Sequence, residues 1–329
     1  MIITKTPFRV SFFGGGTDYP QWFQQHGGCF LSMAIDKYCY LSVRNLPPFF
    51  EHKHRLVYSI VENVSNSTEF KHPVVREVLG WKGCDGGLEI HHDGDLPARS
   101  GLGSSSSFTV GFLHALAGLK GQLSQKRKLA DEAIFVEQNL LGETVGIQDQ
   151  IAAAFGGINS VSISMDGEYS VNPVLASKDR IVEFESHLLL CFTGLSRFAS
   201  EVAAKKVASF QEKETILLSM QSLVAEGERL LVNGCFQEFG EMLNHSWHLK
   251  RSISPAISSC EVNELYDTAI KYGAWGGKLL GAGGGGFMLL FVPPERQKAL
   301  REKFQKSVFV PIQTDWSGSQ VAFYQPSGL

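Results

Sequence analysis

The chain has 329 residues, of which 43% are hydrophobic and 19% are charged, a balance typical of folded globular proteins and not of disordered ones. This length allows one large domain or two closely packed ones. The formal net charge is −3, and no run rich in Lys and Arg is visible. The sequence therefore argues against nucleic acid or an anionic membrane as a partner and favours a small molecule.

The N-terminal residues and the cysteines favour a cytoplasmic protein. Residues 1–7 lack the basic start and apolar run of a signal peptide, and no uncharged apolar stretch approaches the roughly 18 residues of a membrane span. The six cysteines are scattered without a C-x-x-C pair, which argues against a zinc cage or a disulfide framework. We expect a cytoplasmic location and no membrane partner, and the sequence does not indicate an oligomeric state.

Strands lead in the first part of the chain. Phe8, Val10 and Phe12 alternate with polar residues, which predicts a strand over residues 2–13 that ends at the glycines 14–16. Turn residues and apolar runs predict the next elements. These are strands over 28–45, 55–61 and 86–92, and a helix over 72–80.

Helical patterns dominate the middle of the chain. Leu129, Ala133, Val136 and Leu140 recur at helical spacing, so helices are predicted between residues 104 and 155. The later predicted elements are a strand pair at 157–173, a strand at 187–193, helices between 198 and 271, strands at 275–280, 286–292, 308–313 and 319–324, and a helix after residue 294. Because strands and helices do not alternate strictly, the fold class is predicted to be α+β.

The segment with the strongest chemical signature is LPARSGLGSSSS, residues 96–107. Glycines let backbone N–H groups turn inward, serines add donors, and the N-terminus of the apolar helix that follows is partly positive. This combination suits a phosphate group, whereas a structural N-cap needs only one serine. The ordinary P-loop motif and the protein kinase motifs are absent from the sequence, so the segment belongs to another class of phosphate site.

A second glycine-rich segment lies between two predicted strands near the C-terminus. Gly281, Gly283 and Gly286 match G-x-G-x-x-G, but a strand follows, whereas the dinucleotide fingerprint leads into a helix. Four consecutive glycines exceed the needs of a hairpin turn. We therefore expect a close backbone approach here, either to a ligand or to another segment.

Two carboxylates and an arginine are candidate functional residues, each with a structural alternative. Glu137 lies at the edge of an apolar helical stripe, where it either binds a metal ion or pairs with a lysine. Asp149 heads a stripe of small residues if 147–155 are helical, and it is either a reactive group or a helix cap. Arg9, followed by the polar glycine turn 14–19, fits sugar recognition or a surface ion pair.

Three segments in this order resemble the motifs of the GHMP small-molecule kinase superfamily, namely Thr6–Tyr19, Pro97–Ser107 and Lys278–Phe291. Their glycine and serine runs are most similar to the branch that phosphorylates heptose 7-phosphate. The resemblance implies a two-lobed α+β fold with the active site between the lobes. Residues 1–175 would form an ATP-binding lobe similar to ribosomal protein S5 domain 2, and residues 176–329 a ferredoxin-like lobe.

The resemblance also implies roles for individual residues. Asp149 is implied to be the catalytic base with Arg9 as a cation beside it, and Ser105 and Glu137 are implied to hold Mg²⁺. Contacts to the phosphates of ATP are implied for Pro97, Ser100, Gly101, Leu102, Gly103, Ser104, Ser105 and Ser106. Contacts to the sugar are implied for Gly15, Gly16, Thr17, Asp18, Asp149, Gly284 and Gly285.

The implied activity is transfer of the γ-phosphoryl group of ATP to the anomeric hydroxyl of a heptose 7-phosphate, in nucleotide-heptose synthesis for a surface glycan. Two alternatives stay open: a kinase of a free sugar such as galactose or fucose, and a non-catalytic sugar sensor with the same fold. A phosphorylated sugar requires a basic pocket. The candidates for it are Arg197, Lys205, Lys206, Lys250 and Arg251.

Overall fold

The long N-terminal strand organises the first of two sheets. A computed structural model describes residues 1–84, 86–194, 203, 207–305 and 307–326. Strand β1 (Ile2–Phe13) pairs antiparallel with β2 (Gly28–Asn45) along almost its whole length. Phe8, Val10 and Phe12 are all buried, and the bounds of both strands agree with the prediction.

Six further strands complete this sheet. They are β3 (His54–Val57), β4 (Val61–Val64), β5 (Leu88–Gly94), β6 (Ile158–Ile163), β7 (Tyr169–Pro173) and β12 (Gln320–Tyr324). The strand order is β12–β1–β2–β5–β3–β4, with β6 beside β2 and β7 beside β6. Strand β3 is parallel to β5, and the other pairs are antiparallel. The single strand predicted over 55–61 is wrong, because the chain turns at 58–60 and forms a short hairpin.

The described residues of the first part form five α-helices, of which the third and the fifth pack directly against this sheet. They are α1 (Pro20–His26), α2 (Pro73–Lys82), α3 (Ser104–Leu119), α4 (Lys126–Phe135) and α5 (Gln148–Phe155). Helix α3 lies across β1 and β2 and is buried along most of its length. The hydroxyl of Ser107 donates to the carbonyl of Pro7 at 2.8 Å, so the first turn of α3 is fixed to β1.

Helix α4 does not end at Phe135 but continues as one π-helical turn, Val136–Leu140. The predicted apolar stripe runs through this transition, with Leu129 and Ala133 buried on α4. The wider turn carries Glu137 from the predicted edge of the stripe into the interior, where the residue is 1% exposed. Such single π-turns are frequent at functional sites.

The second sheet has the order β11–β8–β10–β9 and is antiparallel. Its strands are β8 (Leu188–Phe192), β9 (Gly276–Leu279), β10 (Phe287–Phe291) and β11 (Val308–Val310). The helices described in the second part are α6 (Lys178–Ser186), α7 (Glu214–Asn233), α8 (Phe236–Ile253), α9 (Cys260–Lys271) and α10 (Pro294–Lys303). Helix α7 packs against β1, β2 and β6 of the first sheet. Within the described ranges, no helix is both long and apolar enough to cross a bilayer.

The two sheets and their helices confirm an α+β architecture. The predicted boundary at residue 175 falls between β7 and α6, and the division into domains 1–175 and 176–329 stays a prediction. Strand β12 crosses that division, because it pairs with β1 in the first sheet. Part of the predicted helical region 198–271 lies outside the described residues.

Candidate active site

An ion pair between β1 and α5 forms the centre of the site. The Nε of Arg9 donates to Oδ1 of Asp149, and Nη2 donates to Oδ2, both at 2.8 Å. The side chain of Arg9 is 6% exposed and that of Asp149 is 29% exposed. The cation is therefore enclosed while the carboxylate stays open to solvent, and the two-pronged contact fixes its orientation. Arg9 is not in a surface ion pair, and Asp149 does not cap α5.

The glycine–serine segment Ser100–Ser106, here called the phosphate loop, lies against this pair. The Nη1 of Arg9 donates to the carbonyl of Gly101 at 2.6 Å, and the backbone N–H of Arg9 donates to Leu102 at 3.0 Å. Leu102 is fully buried and anchors the loop. Gly103 has a φ of +75°, and a Cβ there would lie 3.3 Å from Oδ2 of Asp149. The loop and the carboxylate thus share one small space.

The four serines that follow Gly103 point in different directions. Ser104 accepts a weak hydrogen bond at 3.4 Å from the backbone of Arg99, and Ser105 is exposed. Ser106 and Ser107 are buried. Gly103 stands at the N-cap of α3 without a side-chain hydrogen bond. The first N–H groups of α3 therefore have no serine cap and suit an anion.

Two other predicted phosphate contacts lie at the start of the loop. Pro97 is exposed, whereas Ser100 is 2% exposed. The Ser100 hydroxyl has no hydrogen-bond partner in the described part of the chain. A buried hydroxyl without a partner costs free energy, so a ligand that reaches Ser100 would relieve this cost.

Glu137 sits behind the phosphate loop in the π-turn. Its Oε2 accepts hydrogen bonds from Ser106 Oγ at 2.9 Å and from Gln150 Nε2 at 2.6 Å. Its Oε1 has no partner among the residues that the structure describes. Burial raises the pKa of Glu137 to about 8, against the opposing effect of these hydrogen bonds. Among the described residues, no lysine forms an ion pair with Glu137, so the predicted alternative of a lysine pair is not observed.

The surroundings of Glu137 fit an oxygen-seeking cation. A buried carboxylate oxygen without a donor is stabilised by a positive charge. In the described ranges, no group of three or more His, Cys, Asp or Glu side chains is arranged to hold a metal, but Mg²⁺ in kinases usually needs only one or two carboxylates besides substrate phosphates. The serine that donates to Glu137 is Ser106, and Ser105 is exposed. A role of Ser105 as a ligand stays a prediction.

The predicted sugar-binding turn is tied to the helix that carries Asp149. Oδ1 of Asp18 accepts from the N–H of Gly16 at 2.9 Å, and the Asp18 carbonyl accepts from Ile147 at 3.1 Å. Thr17 is fully buried, and its hydroxyl donates to Cys29 O at 2.7 Å. These bonds fix the turn relative to α5. Sugar contacts by Gly15, Gly16, Thr17 and Asp18 stay predictions.

The second glycine-rich segment, Gly281–Gly286, is here called the glycine turn. The expected close approach is confirmed, and one partner is the phosphate loop: the N–H of Phe287 donates to Ser100 O at 3.0 Å. The N–H of Gly284 donates to Ile257 O at 2.9 Å. Sugar contacts by Gly284 and Gly285 stay predictions.

Two of the candidates for a basic pocket, Lys250 and Arg251, lie in the described part of the chain. Lys250 is 4% exposed and donates to the carbonyls of Leu279 and Gly281 at 2.9 and 2.7 Å, so it supports the backbone. The Arg251 guanidinium lies 6.0 Å from the ring of Trp247. The candidates Arg197, Lys205 and Lys206 lie outside the described residues.

Two polar residues that the sequence does not single out support the site, and both are next to Asp149. Gln150 donates to Glu137, and Gln148 accepts from the Ser11 hydroxyl at 3.3 Å. Both glutamines are buried, unlike the carboxylate between them. The sequence signal for these hydrogen bonds is the uncharged polar residue on each side of the candidate base Asp149.

Comparisons with known proteins agree with these features. Residues 56–157 match the family described as GHMP kinases N terminal domain, and residues 228–310 match GHMP kinases C terminal. The D-glycero-alpha-D-manno-heptose 7-phosphate kinase of Campylobacter jejuni is 30% identical, over 92% of this chain and 94% of that protein. The bifunctional fucokinase/GDP-fucose pyrophosphorylase of Arabidopsis thaliana is 29% identical over 95% of this chain, which spans only 32% of that larger protein.

Solved structures have the same fold. A D-glycero-D-manno-heptose 1-phosphate kinase from Bacteroides thetaiotaomicron superposes with a TM-score of 0.80 at 23% identity, covering 97% of this chain and 98% of that one. The Lactococcus lactis galactokinase complexed with galactose has a TM-score of 0.76 at 20% identity, covering 97% and 95%. Together with the identity to the Campylobacter jejuni enzyme and the two matched domains, these results show that the chain belongs to the GHMP kinase family.

Proposed function

We propose that this protein transfers the γ-phosphoryl group of ATP to the anomeric hydroxyl of a heptose 7-phosphate, as a step in nucleotide-heptose synthesis for a surface glycan. Membership of the family establishes an ATP-dependent phosphotransferase with an alcohol group as acceptor. The observation that most directly supports catalysis is the partly exposed carboxylate of Asp149, held by Arg9 beside the uncapped start of α3. The Campylobacter jejuni relative supports the substrate class.

The phosphate loop is proposed to bind the phosphates of ATP. The transferred group passes through a loose transition state, so positioning and charge neutralisation supply most of the catalysis. The free N–H groups of α3 and the partial positive charge of its N-terminus serve both purposes. Because Arg9 donates both to Gly101 O and to Asp149, it holds the phosphate loop and the carboxylate in a fixed position relative to each other.

Asp149 is proposed to orient the attacking hydroxyl and accept its proton. The hydroxyl oxygen forms a bond to the γ-phosphorus while the bond to the β–γ bridging oxygen breaks, and the proton moves to the carboxylate. Arg9 occupies one side of both Asp149 oxygens, so each oxygen keeps a lone pair for the sugar. The rate contribution expected from such a base is about 10² to 10⁴-fold.

We further propose that Glu137 and Ser105 hold Mg²⁺. The support is the unpartnered Oε1 of Glu137, which is buried next to the phosphate loop. When bound, Mg²⁺ supplies charge neutralisation on the phosphate oxygens. Ser106 and Gln150 keep Oε2 of Glu137 occupied, so they orient Oε1.

A kinase of a free sugar is the second candidate. The fucokinase relative supports it, as does the Pyrococcus furiosus galactokinase, 27% identical over 91% of each chain. Lys250 donates to backbone carbonyls, and the candidates Arg197, Lys205 and Lys206 for the basic pocket of a phosphorylated sugar lie outside the described residues. A non-catalytic sensor is less well supported, since it has no need for the Arg9–Asp149 pair.

A cytoplasmic location is also proposed. The six cysteines are free thiols, a state that a reducing compartment maintains. ATP is the phosphoryl donor, so the protein requires a compartment that supplies it.

An ADP-release assay with Mg-ATP and a matched panel of sugars tests the function. The panel contains heptose 7-phosphate, mannose 6-phosphate, and free galactose, fucose and mannose. We expect turnover with heptose 7-phosphate and little with the free sugars. Turnover with a free sugar alone would keep the kinase mechanism and overturn the heptose substrate. No turnover on any sugar, with ATP binding intact, would favour the sensor.

A further inference from the structure

We infer that Lys250 is a positioning residue for phosphoryl transfer, which acts through the glycine turn. Lys250 fixes the position of the glycine turn, and the glycine turn fixes the position of the phosphate loop. This inference rests on the proposed function and adds a residue from the C-terminal half of the chain to the catalytic machinery.

The first step is the contact between Lys250 and the turn. Lys250 lies near the C-terminus of α8, and its Nζ donates to the carbonyls of Leu279 and Gly281. These carbonyls stand where β9 ends and the glycine turn begins. Lys250 as a residue is 4% exposed, and a buried ammonium group is costly unless its N–H groups find acceptors. Lysine and turn therefore hold each other in place.

A second anchor comes from the same segment of chain. Just after α8, the carbonyl of Ile257 accepts from the N–H of Gly284 at 2.9 Å. A Cβ on Gly283 would lie 2.7 Å from that carbonyl oxygen, so the turn fits closely against residues 255–257. Hydrogen bonds thus hold the start of the turn to Lys250 and its middle to Ile257.

The opposite side of the turn presses on the phosphate loop. A Cβ on Gly281 would lie 2.6 Å from the Cα of Gly101, and the N–H of Phe287 donates to Ser100 O. These contacts leave little room for either loop to move alone. A displacement of the turn is therefore transmitted to Ser100 and Gly101.

Gly101 is also the residue that Arg9 binds. Its carbonyl accepts from Nη1 of Arg9 at 2.6 Å, and the same guanidinium holds Asp149. The contacts form a continuous path from Lys250 through the turn and the loop to the reactive carboxylate. Misplacement of a reacting group by about 1 Å can cost about a hundredfold in rate, so a small shift along this path is enough to slow transfer.

The test compares Lys250→Met with the wild type. Methionine keeps most of the side-chain stem but donates no hydrogen bond. We expect kcat to fall about tenfold, and amide hydrogen exchange to become faster in both the glycine turn and residues 100–103. If Lys250→Met does not fold, Lys250→Gln keeps one donor group and serves as the milder variant, with the same direction expected.

Tyr266→Phe provides the matched control. The Tyr266 hydroxyl donates to Oδ1 of Asn244 at 2.7 Å, and Tyr266 is buried against α8 in the same lobe. This variant loses a buried hydrogen bond without touching either loop. We expect lower thermal stability with kcat within twofold of wild type and unchanged exchange in both loops.

Two results would overturn the inference. One is a kcat for folded Lys250→Met within twofold of wild type, and the other is faster exchange confined to the glycine turn. A wild type that phosphorylates no sugar would instead reject the proposed function. In that case the affinity for a non-hydrolysable ATP analogue replaces kcat, and equal affinity in both proteins would reject Lys250 as a positioning residue.

Discussion

The two glycine-rich segments of this protein use the same residue for different purposes. In the phosphate loop, a Cβ on Gly103 would meet the side chains of Asp149 and Arg9 at 3.3 and 3.4 Å. In the glycine turn, a Cβ on Gly281 or Gly286 would meet backbone atoms of the phosphate loop at 2.6 Å. The first segment leads into a helix and the second into a strand.

This difference separates the two ways in which glycine serves a site. Gly103 in the phosphate loop leaves space beside the Arg9–Asp149 pair and directly precedes α3. Gly101 in the same loop leaves space for backbone, because a Cβ there would lie 2.6 Å from the carbonyl oxygen of Leu280. Glycine in the turn leaves space for another backbone, which makes the turn a support for the loop. A substitution in the turn is therefore expected to act through protein geometry, and one near the pair through chemistry.

Gly286→Ala has the largest expected effect. Gly286 has a φ of +101°, and its Cβ would overlap the Ser100 carbonyl, lying 2.6 Å from the carbonyl carbon. Backbone strain and forced displacement together predict a loss of about 3 kcal/mol in the free energy of unfolding. Because Ser100 must move, we also expect kcat/KM to fall at least about tenfold. Chemical denaturation and the ADP-release assay measure the two quantities.

Gly121→Ala is the control for Gly286→Ala. Gly121 also has a positive φ, +66°, but nothing lies within 4 Å of its Cβ position. It should lose about 1 kcal/mol of stability from backbone strain alone, with normal turnover. Equal losses in the two variants would show that the packing of the turn against the loop contributes nothing.

Asp149→Asn tests the chemistry of the other segment. Asparagine is similar in shape but does not accept the proton, so we expect kcat to fall at least about a hundredfold. Binding of an ATP analogue should change little. Asp131→Asn is the matched control, because Asp131 also accepts from an arginine, Arg127, at 3.0 and 3.1 Å on the surface. Near-normal turnover in Asp149→Asn would remove Asp149 from the proposed mechanism.

The sequence predicts elements that depend on a local pattern and fails where a distant contact decides. Alternation in residues 2–13 is a property of one strand, and the predicted bounds of β1 agree with the structure. The π-turn is different, because its geometry depends on how Glu137 meets Ser106 from another helix. Lys250 has the positive charge of a phosphate ligand, but its ammonium group donates to carbonyls about thirty residues away in the sequence. Positive charge in a sequence does not show which groups surround it.

The same limit applies within the site. The family resemblance implied that Arg9 lies beside Asp149, and the structure places their side chains 2.8 Å apart. Of the serines that follow Gly103, Ser106 faces Glu137 and Ser105 is exposed, since neighbouring residues on a helix point about 100° apart. Chemical type is visible in the motif, whereas orientation depends on the first turn of α3.

Arg99 gives the smallest expected effect and sharpens the comparison of the two segments. Among the described residues it is the non-glycine residue with a positive φ, +59°, and it lies directly before the phosphate loop. The left-handed conformation costs an L-residue about 1 to 2 kcal/mol. Glycine adopts it freely but loses more entropy on folding. We expect Arg99→Gly to be more stable than Arg99→Ala by about 1 kcal/mol in chemical denaturation.

Both Arg99 variants lose the same side chain beyond Cβ, so their difference isolates the backbone. If the backbone conformation at position 99 does not affect phosphate binding, Arg99→Gly and Arg99→Ala should bind an ATP analogue equally well, because both lack the guanidinium. Weaker binding by Arg99→Gly than by Arg99→Ala would mean that the strained residue restricts the loop to its binding shape. The phosphate loop would then depend on a restricted backbone at position 99 as well as on support from the glycine turn. Equal binding by the two variants would exclude the dependence on position 99.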